Sequence, residues 1–114
     1  MTSLSLILLG LLAHDAGAGK SVNLTGVVVD TGCYLSHDSK GADHEKCAAA
    51  CARAGVPLAI LDGSGRLWLP VAIDHKNPNT KLLPFIEKKV KVGGIAMEKN
   101  GLRGLVIKAV TAAE

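Results

Sequence analysis

The stretch Pro57–Ala72, PLAILDGSGRLWLPVA, reads as a β-hairpin. PLAIL and RLWLPVA are short, largely apolar runs, and Asp62-Gly63-Ser64-Gly65 between them has the composition of a turn. On the N-terminal side, Asp43–Ala54 (DHEKCAAACARA) predicts a helix. Its alanines favour that state, Asp43 is placed to cap it, and Gly55 with Pro57 beyond it marks the stop. Ser36–Gly41 is a polar turn, and Ser21–Tyr34 (SVNLTGVVVDTGCY) predicts a strand, with β-branched Val27-Val28-Val29 at its centre and Gly26 at a bend. On the C-terminal side, Asp74–Asn79 reads as a loop and Thr80–Lys89 as a short helix that packs Leu82, Leu83 and Ile86. Lys89–Ala96 and Leu102–Val110 read as strands, with Asn100-Gly101 as a turn signal between them. The order is β-α-β-β-α-β-β. A mainly β, α+β domain with five strands and two short helices is expected, closed as a small OB-like barrel. A ferredoxin-like or other α+β sandwich is the alternative.

The chain has 114 residues, enough for one domain. Residues 1–18 read as an export signal. Leu4–Ala13 is an almost unbroken apolar run, and Ala16-Gly17-Ala18 is a small-x-small cleavage site. No Lys or Arg precedes the run, unlike a usual signal, and a buried N-terminal segment is the alternative. The run is shorter than the ~20 apolar residues a membrane helix needs, so no span is expected once the signal is removed. Residues 19–114 are then a single OB-like domain, periplasmic or secreted.

Thirteen basic against ten acidic residues give a mild net charge of +3, well spread. Tyr34, Trp68 and Phe85 are the only aromatic residues, too few for the stacking platforms of a single-strand nucleic-acid binder. Nucleic acid is therefore excluded as a partner, whereas an unidentified protein partner fits an exported module.

The chemistry is concentrated in Gly32–Pro57, which holds Cys33, His37, His44, Cys47 and Cys51. At 100° per residue, His44, Cys47 and Cys51 fall within a stripe about 60° wide on the predicted helix. That row is where a metal site is expected, with Cys33 as a further candidate ligand. Soft thiolates with imidazole suit copper(I) or zinc, and haem is a less favoured cofactor. Cys47 and Cys51 on an intact helix are too far apart for a disulfide, whose Cβ atoms sit about 3.8 Å apart. Cys33 is the more plausible partner for one of them, and such a bridge would contribute about 3 kcal/mol. Three readings stand: a module binding a soft metal, a thiol-disulfide redox protein, and a disulfide-stapled structural or partner-binding domain without metal. Binding is favoured over enzyme, because the C-x-x-C of thiol oxidoreductases is absent from the sequence.

Two resemblances bear on this. Cys47-x-x-x-Cys51 with a separate His is similar to the pattern of exported thioredoxin-fold copper chaperones that assemble cytochrome oxidase, which implies copper; nothing else in the chain looks like a thioredoxin. More broadly, G-x-V-V-D-T-x-C-Y, then G-x-x-H-x-x-C-A-x-x-C-A-x-x-G-V-P-L, then V-x-V-G-G-x-x-M-E-K-x-G-L-x-G, from Gly26 to Gly104, resembles a group of small exported bacterial proteins of uncharacterised function. That resemblance implies an exported domain in which Cys33, His44, Cys47 and Cys51 belong together.

His37-Asp38 and Asp74-His75 are read as solvated loop pairs rather than acid/base dyads. Trp68 is expected in the core, and Met97 in the core rather than as a soft ligand.

Overall fold

The computed structural model describes residues 19–113, so the expected export signal lies outside the described residues. Five strands form a closed barrel in the order β1-β2-β3-β5-β4: β1 (Lys20–Asp30), β2 (Leu58–Asp62), β3 (Leu67–Pro70), β4 (Lys89–Lys99) and β5 (Leu102–Ala112). All pairings are antiparallel except β3 with β5, which run parallel through Leu69↔Gly104 and Pro70↔Leu105. This is the expected small OB-like barrel.

Closure depends on two places where a strand must coil sharply. The first half of β1 pairs with β4 and the second half with β2, and Gly26 belongs to both ladders, opposite Val90 and Asp62. A Cβ at Gly26 would lie 2.5 Å from the Leu61 carbonyl oxygen. In β4 the register with β5 shifts at Gly93/Gly94, a β-bulge, and a Cβ at Gly94 would collide with the Val106 carbonyl oxygen.

The strands fill the barrel with Val28, Leu58, Ile60, Val90, Val92, Leu105 and Ile107. Ala48 and Ala52 pack onto this core from a helix, and Leu82 and Ile86 from the β3–β4 connection. Trp68, expected in the core, is only half-buried and packs against the edge of the same cluster.

Three local expectations are corrected. Strand β1 ends at Asp30 rather than Tyr34, because the Asp30 side chain accepts a hydrogen bond from Gly32 N–H and starts a helix, α1 (Thr31–His37). The helix expected at 43–54 is a 3₁₀ turn, Ala42–His44, followed by α2 (Glu45–Arg53). No side chain caps α2, so Asp43 does not have that role. The helix expected at 80–89 is a pair of 3₁₀ turns, Pro78–Lys81 and Leu83–Phe85. Asn77 accepts from Asn79 N–H and starts the first turn early, and Pro84 removes a donor from the second. Leu82 and Ile86 are nonetheless buried there, as the apolar spacing requires.

The β2–β3 turn is held by one carboxylate. Asp62 Oδ1 accepts from Ser64 N–H, Ser64 Oγ–H and Arg66 N–H at 2.9, 2.8 and 2.9 Å, and Oδ2 accepts from Trp68 Nε1–H at 2.9 Å. Burial pushes this carboxyl up, but those donors outweigh it and hold it well below the usual carboxylate range. A depressed folded-state value means stability that is present above the unfolded-state value and lost as pH falls through the folded one. Asp62→Asn should therefore lower stability by about 1–2 kcal/mol at neutral pH. The difference from wild type should shrink as the solution is acidified below the ordinary carboxylate range, which urea melts at several pH values will show.

Candidate metal centre

The site is built in the excursion between β1 and β2. Thr31 anchors its start, donating from both its N–H (3.1 Å) and its hydroxyl (2.6 Å) to the Pro57 carbonyl. Asp30 caps α1 and places Cys33 in the first turn. The helix stops at Asp38, whose left-handed backbone (φ 57°) lets its N–H reach the Tyr34 carbonyl at 2.9 Å. The chain crosses to Gly41, whose N–H donates to Glu87 Oε1 at 2.8 Å, and then enters the 3₁₀ turn that ends at His44.

Helix α2 turns Ala48 and Ala52 into the barrel, at 0% and 2% exposure. The preceding residue in each case is a cysteine, so Cys47 and Cys51 form a parallel row beside the buried one. The helix ends in a Schellman motif: Val56 N–H donates to the Cys51 carbonyl at 3.0 Å, Gly55 N–H donates to the Ala52 carbonyl at 3.1 Å, and Gly55 has φ 103°. The predicted glycine stop is thus observed.

The thiols of Cys33, Cys47 and Cys51 converge, with sulfur atoms all within 4.8 Å of one another. No disulfide links them: all three cysteines are free, Cys47 exposed and the other two half-buried. A second group, also within 4.8 Å, is Asp30, Cys33 and His44. Cys33 belongs to both. The single row of His44, Cys47 and Cys51 expected from helical geometry is replaced by these two groups. His44 lies in the tighter 3₁₀ turn ahead of α2, where an angle of 100° per residue does not hold.

Asp30 is 1% exposed, and its Oδ2 lies 3.7 Å from His44 Nε2, beyond hydrogen-bonding distance. Both atoms are buried without a hydrogen-bond partner, and so is Glu87 Oε2. Burial raises the Asp30 carboxyl, but the neighbouring Cys33 and Cys51 thiols, together with Gly32 N–H, outweigh it and hold the group below its usual value. The same proximity acts in reverse on the thiols. Interaction with Asp30, then burial, pushes Cys33 up to about 12 and raises Cys51 as well. Glu87 is raised, mainly by burial; the Gly41 N–H and His44 oppose the shift, and the charges of Asp30 and Glu45 add to it.

Asp30 and Glu87 were not singled out as site residues by sequence reasoning. For Asp30 a signal exists, an acidic residue closing a buried Val-Val-Val strand two residues before a glycine and three before a cysteine. For Glu87 there is none, because only barrel closure brings it to the excursion: its N–H donates to the Val28 carbonyl at 2.8 Å. His37 and the Asp74-His75 pair are exposed and belong to neither group. Met97 is half-buried at the far end of β4, eight residues beyond Lys89 or about 26 Å along the strand, and is no ligand here.

Among the described residues no helix is long and apolar enough to cross a membrane. Searches against protein-family models, curated proteins and solved structures each returned no significant match. The fold and the site define a small OB-like barrel whose first connection carries a three-thiol cluster joined through Cys33 to the buried Asp30 carboxylate and the half-buried His44 imidazole.

Proposed function

We propose that this protein is an exported binding module that holds a soft metal ion at Cys33, Cys47 and Cys51, with copper(I) the preferred ion and zinc the alternative. The observation that carries the reading is the convergence of three free thiols, from two separate helices, to within 4.8 Å. Three sulfurs on one ion at about 2.3 Å each sit roughly 3.8–4.0 Å apart, so small rotations of the side chains suffice. An all-sulfur set of three selects copper(I), whereas a closed zinc site takes four ligands. The space among the sulfurs suits an ion rather than the haem that the sequence also allowed. The thiols border neither the surface cavity lined by residues 70–81 and β5 nor the one lined by β1, β4 and β5.

Thiol-disulfide exchange is the second reading, and against it stands the spacing of the helix cysteines: Cys47 and Cys51 are C-x-x-x-C, not the C-x-x-C of the usual thiol oxidoreductases. The apolar leader and small-x-small site of residues 1–18 support export.

The test is copper(I) titration of the reduced protein against a competing chromophoric chelator, with stoichiometry from metal analysis. One copper(I) per chain is expected, and Cys47→Ser with Cys51→Ser should abolish it. A chain that takes up no copper(I) or zinc while losing thiols pairwise on mild oxidation would instead be a redox or disulfide-stapled domain.

A further inference from the structure

We propose that Asp30, Cys33 and His44 form a second, harder cation position, suited to zinc or a similar divalent ion, that shares Cys33 with the three-thiol site but needs neither Cys47 nor Cys51. The starting point is a pair of buried polar atoms that make no hydrogen bond of proper geometry, beside the Cys33 and Cys51 thiols that act on Asp30. Asp30 Oδ2 and His44 Nε2 are buried, 3.7 Å apart and unpartnered, and Cys33 Sγ completes a group within 4.8 Å. Buried polar atoms are almost always satisfied, and a carboxylate that is 1% exposed with a free oxygen is costly unless a cation or donor completes it.

The spacing fits a shared ion. Two oxygen or nitrogen ligands at 2.0–2.2 Å from a tetrahedral zinc are about 3.3 Å apart, and a sulfur partner lies slightly farther out. The observed 3.7 Å closes to that value with a shift of a few tenths of an ångström in each side chain. The donor set is one oxygen, one nitrogen and one sulfur, which suits a borderline ion such as zinc better than copper(I).

The surroundings hold these ligands in place. Asp30 Oδ1 is already occupied by Gly32 N–H at 3.0 Å, which aims Oδ2 inward as a monodentate ligand. Fixing a ligand's second atom in this way is the usual outer-shell arrangement of metal sites. Glu87 is near enough for the charges of Asp30 and His44 to act on it; it is 8% exposed, its Oε1 is held by Gly41 N–H, and its Oε2 is buried without a hydrogen-bond partner.

The position is tested in the reduced full-length chain carrying Cys47→Ser and Cys51→Ser, which removes the three-thiol site. That variant should still bind one zinc per chain by calorimetry and metal analysis. With cobalt(II) as the probe it should show a thiolate-to-metal charge-transfer band of single-sulfur intensity, lost on Cys33→Ala. Adding Asp30→Asn, which keeps a capping oxygen, or His44→Gln should weaken zinc about a hundredfold while near-ultraviolet circular dichroism stays native. If Asp30→Asn fails to fold, His44→Gln decides alone. Zinc binding absent from the double-serine variant, or indifferent to His44→Gln, overturns the proposal. The copper(I) stoichiometry of the unaltered chain is read separately, so loss of one site is not mistaken for loss of the other.

Discussion

Cys33→Ser should be the most damaging single substitution for metal binding, lowering copper(I) affinity about a hundredfold to a thousandfold while leaving the barrel folded. The size follows from dividing the binding free energy of a four-ligand structural site, about 10–16 kcal/mol, among its ligands, which gives about 3 kcal/mol for one thiolate. Cys33 differs from Cys47 and Cys51 in belonging to both groups of ligands. Its replacement should therefore also weaken zinc binding at the Asp30–His44 pair, whereas Cys47→Ser should leave zinc binding at that pair intact. The cost to the fold should be small, because Cys33 is half-buried in a short helix and is not part of the hydrophobic core. Parallel copper(I) and zinc titrations of the two single variants, with thermal melts of the metal-free proteins, check both halves. Equal losses of zinc affinity in Cys33→Ser and Cys47→Ser would contradict the sharing of Cys33.

Asn79→Ala should produce a large loss of stability, about 3 kcal/mol. Asn79 is 4% exposed, and its side chain substitutes for backbone pairing. Its Oδ1 accepts from Leu58 N–H at 2.9 Å, and its Nδ2 donates to the Val56 carbonyl at 2.9 Å and more weakly to that of Ala52 at 3.4 Å. Truncation leaves the Leu58 N–H and the Val56 carbonyl without their partner, at about 1–3 kcal/mol for each buried group. The Ala52 carbonyl keeps its bond from Gly55 N–H. The damage also falls on the site. Asn79 ties the C-terminal end of α2 to the start of β2, so its loss should let α2 shift and weaken copper(I) binding even where the protein remains folded. Chemical denaturation measures the first effect, and copper(I) competition under native conditions measures the second. A variant as stable as wild type would show that water replaces the amide.

Much of the barrel was legible in the chain. The hairpin at 57–72 and the Asn100-Gly101 turn were readable because turn chemistry is local: Gly101 has φ 85° and Asn100 has φ 52°, conformations that those residue types tolerate best. The β-branched run at 27–29 announced a buried strand, and the spacing of Leu82 and Ile86 marked residues that pack inward even though the expected helix resolves into 3₁₀ turns. The grouping of Cys47 and Cys51 was equally local, since residues four apart on a helix share a face. Less legible was the competition at Asp30, where strand propensity continues on paper through Tyr34 but a single side-chain cap ends the strand and starts α1. That one hydrogen bond starts the helix that carries Cys33, whose sulfur lies within 4.8 Å of those of Cys47 and Cys51.

The sequence by itself determined the five strands, their turns, the alanine-rich helix and the segment in which the ligands lie, because each follows from contacts within a few residues. Tertiary structure alone decided which of those ligands meet. Cys33 and Cys47 are brought together because α1 and α2 both pack against β1, and Glu87 is tied to the same strand through its bond to Val28. The Asp30–His44 pair likewise depends on a 3₁₀ turn that no helical periodicity anticipates. The physical reason is that a side chain's neighbours across a closed barrel are set by register and closure, which sum over all the strands, whereas propensity, capping and turn preference act within one.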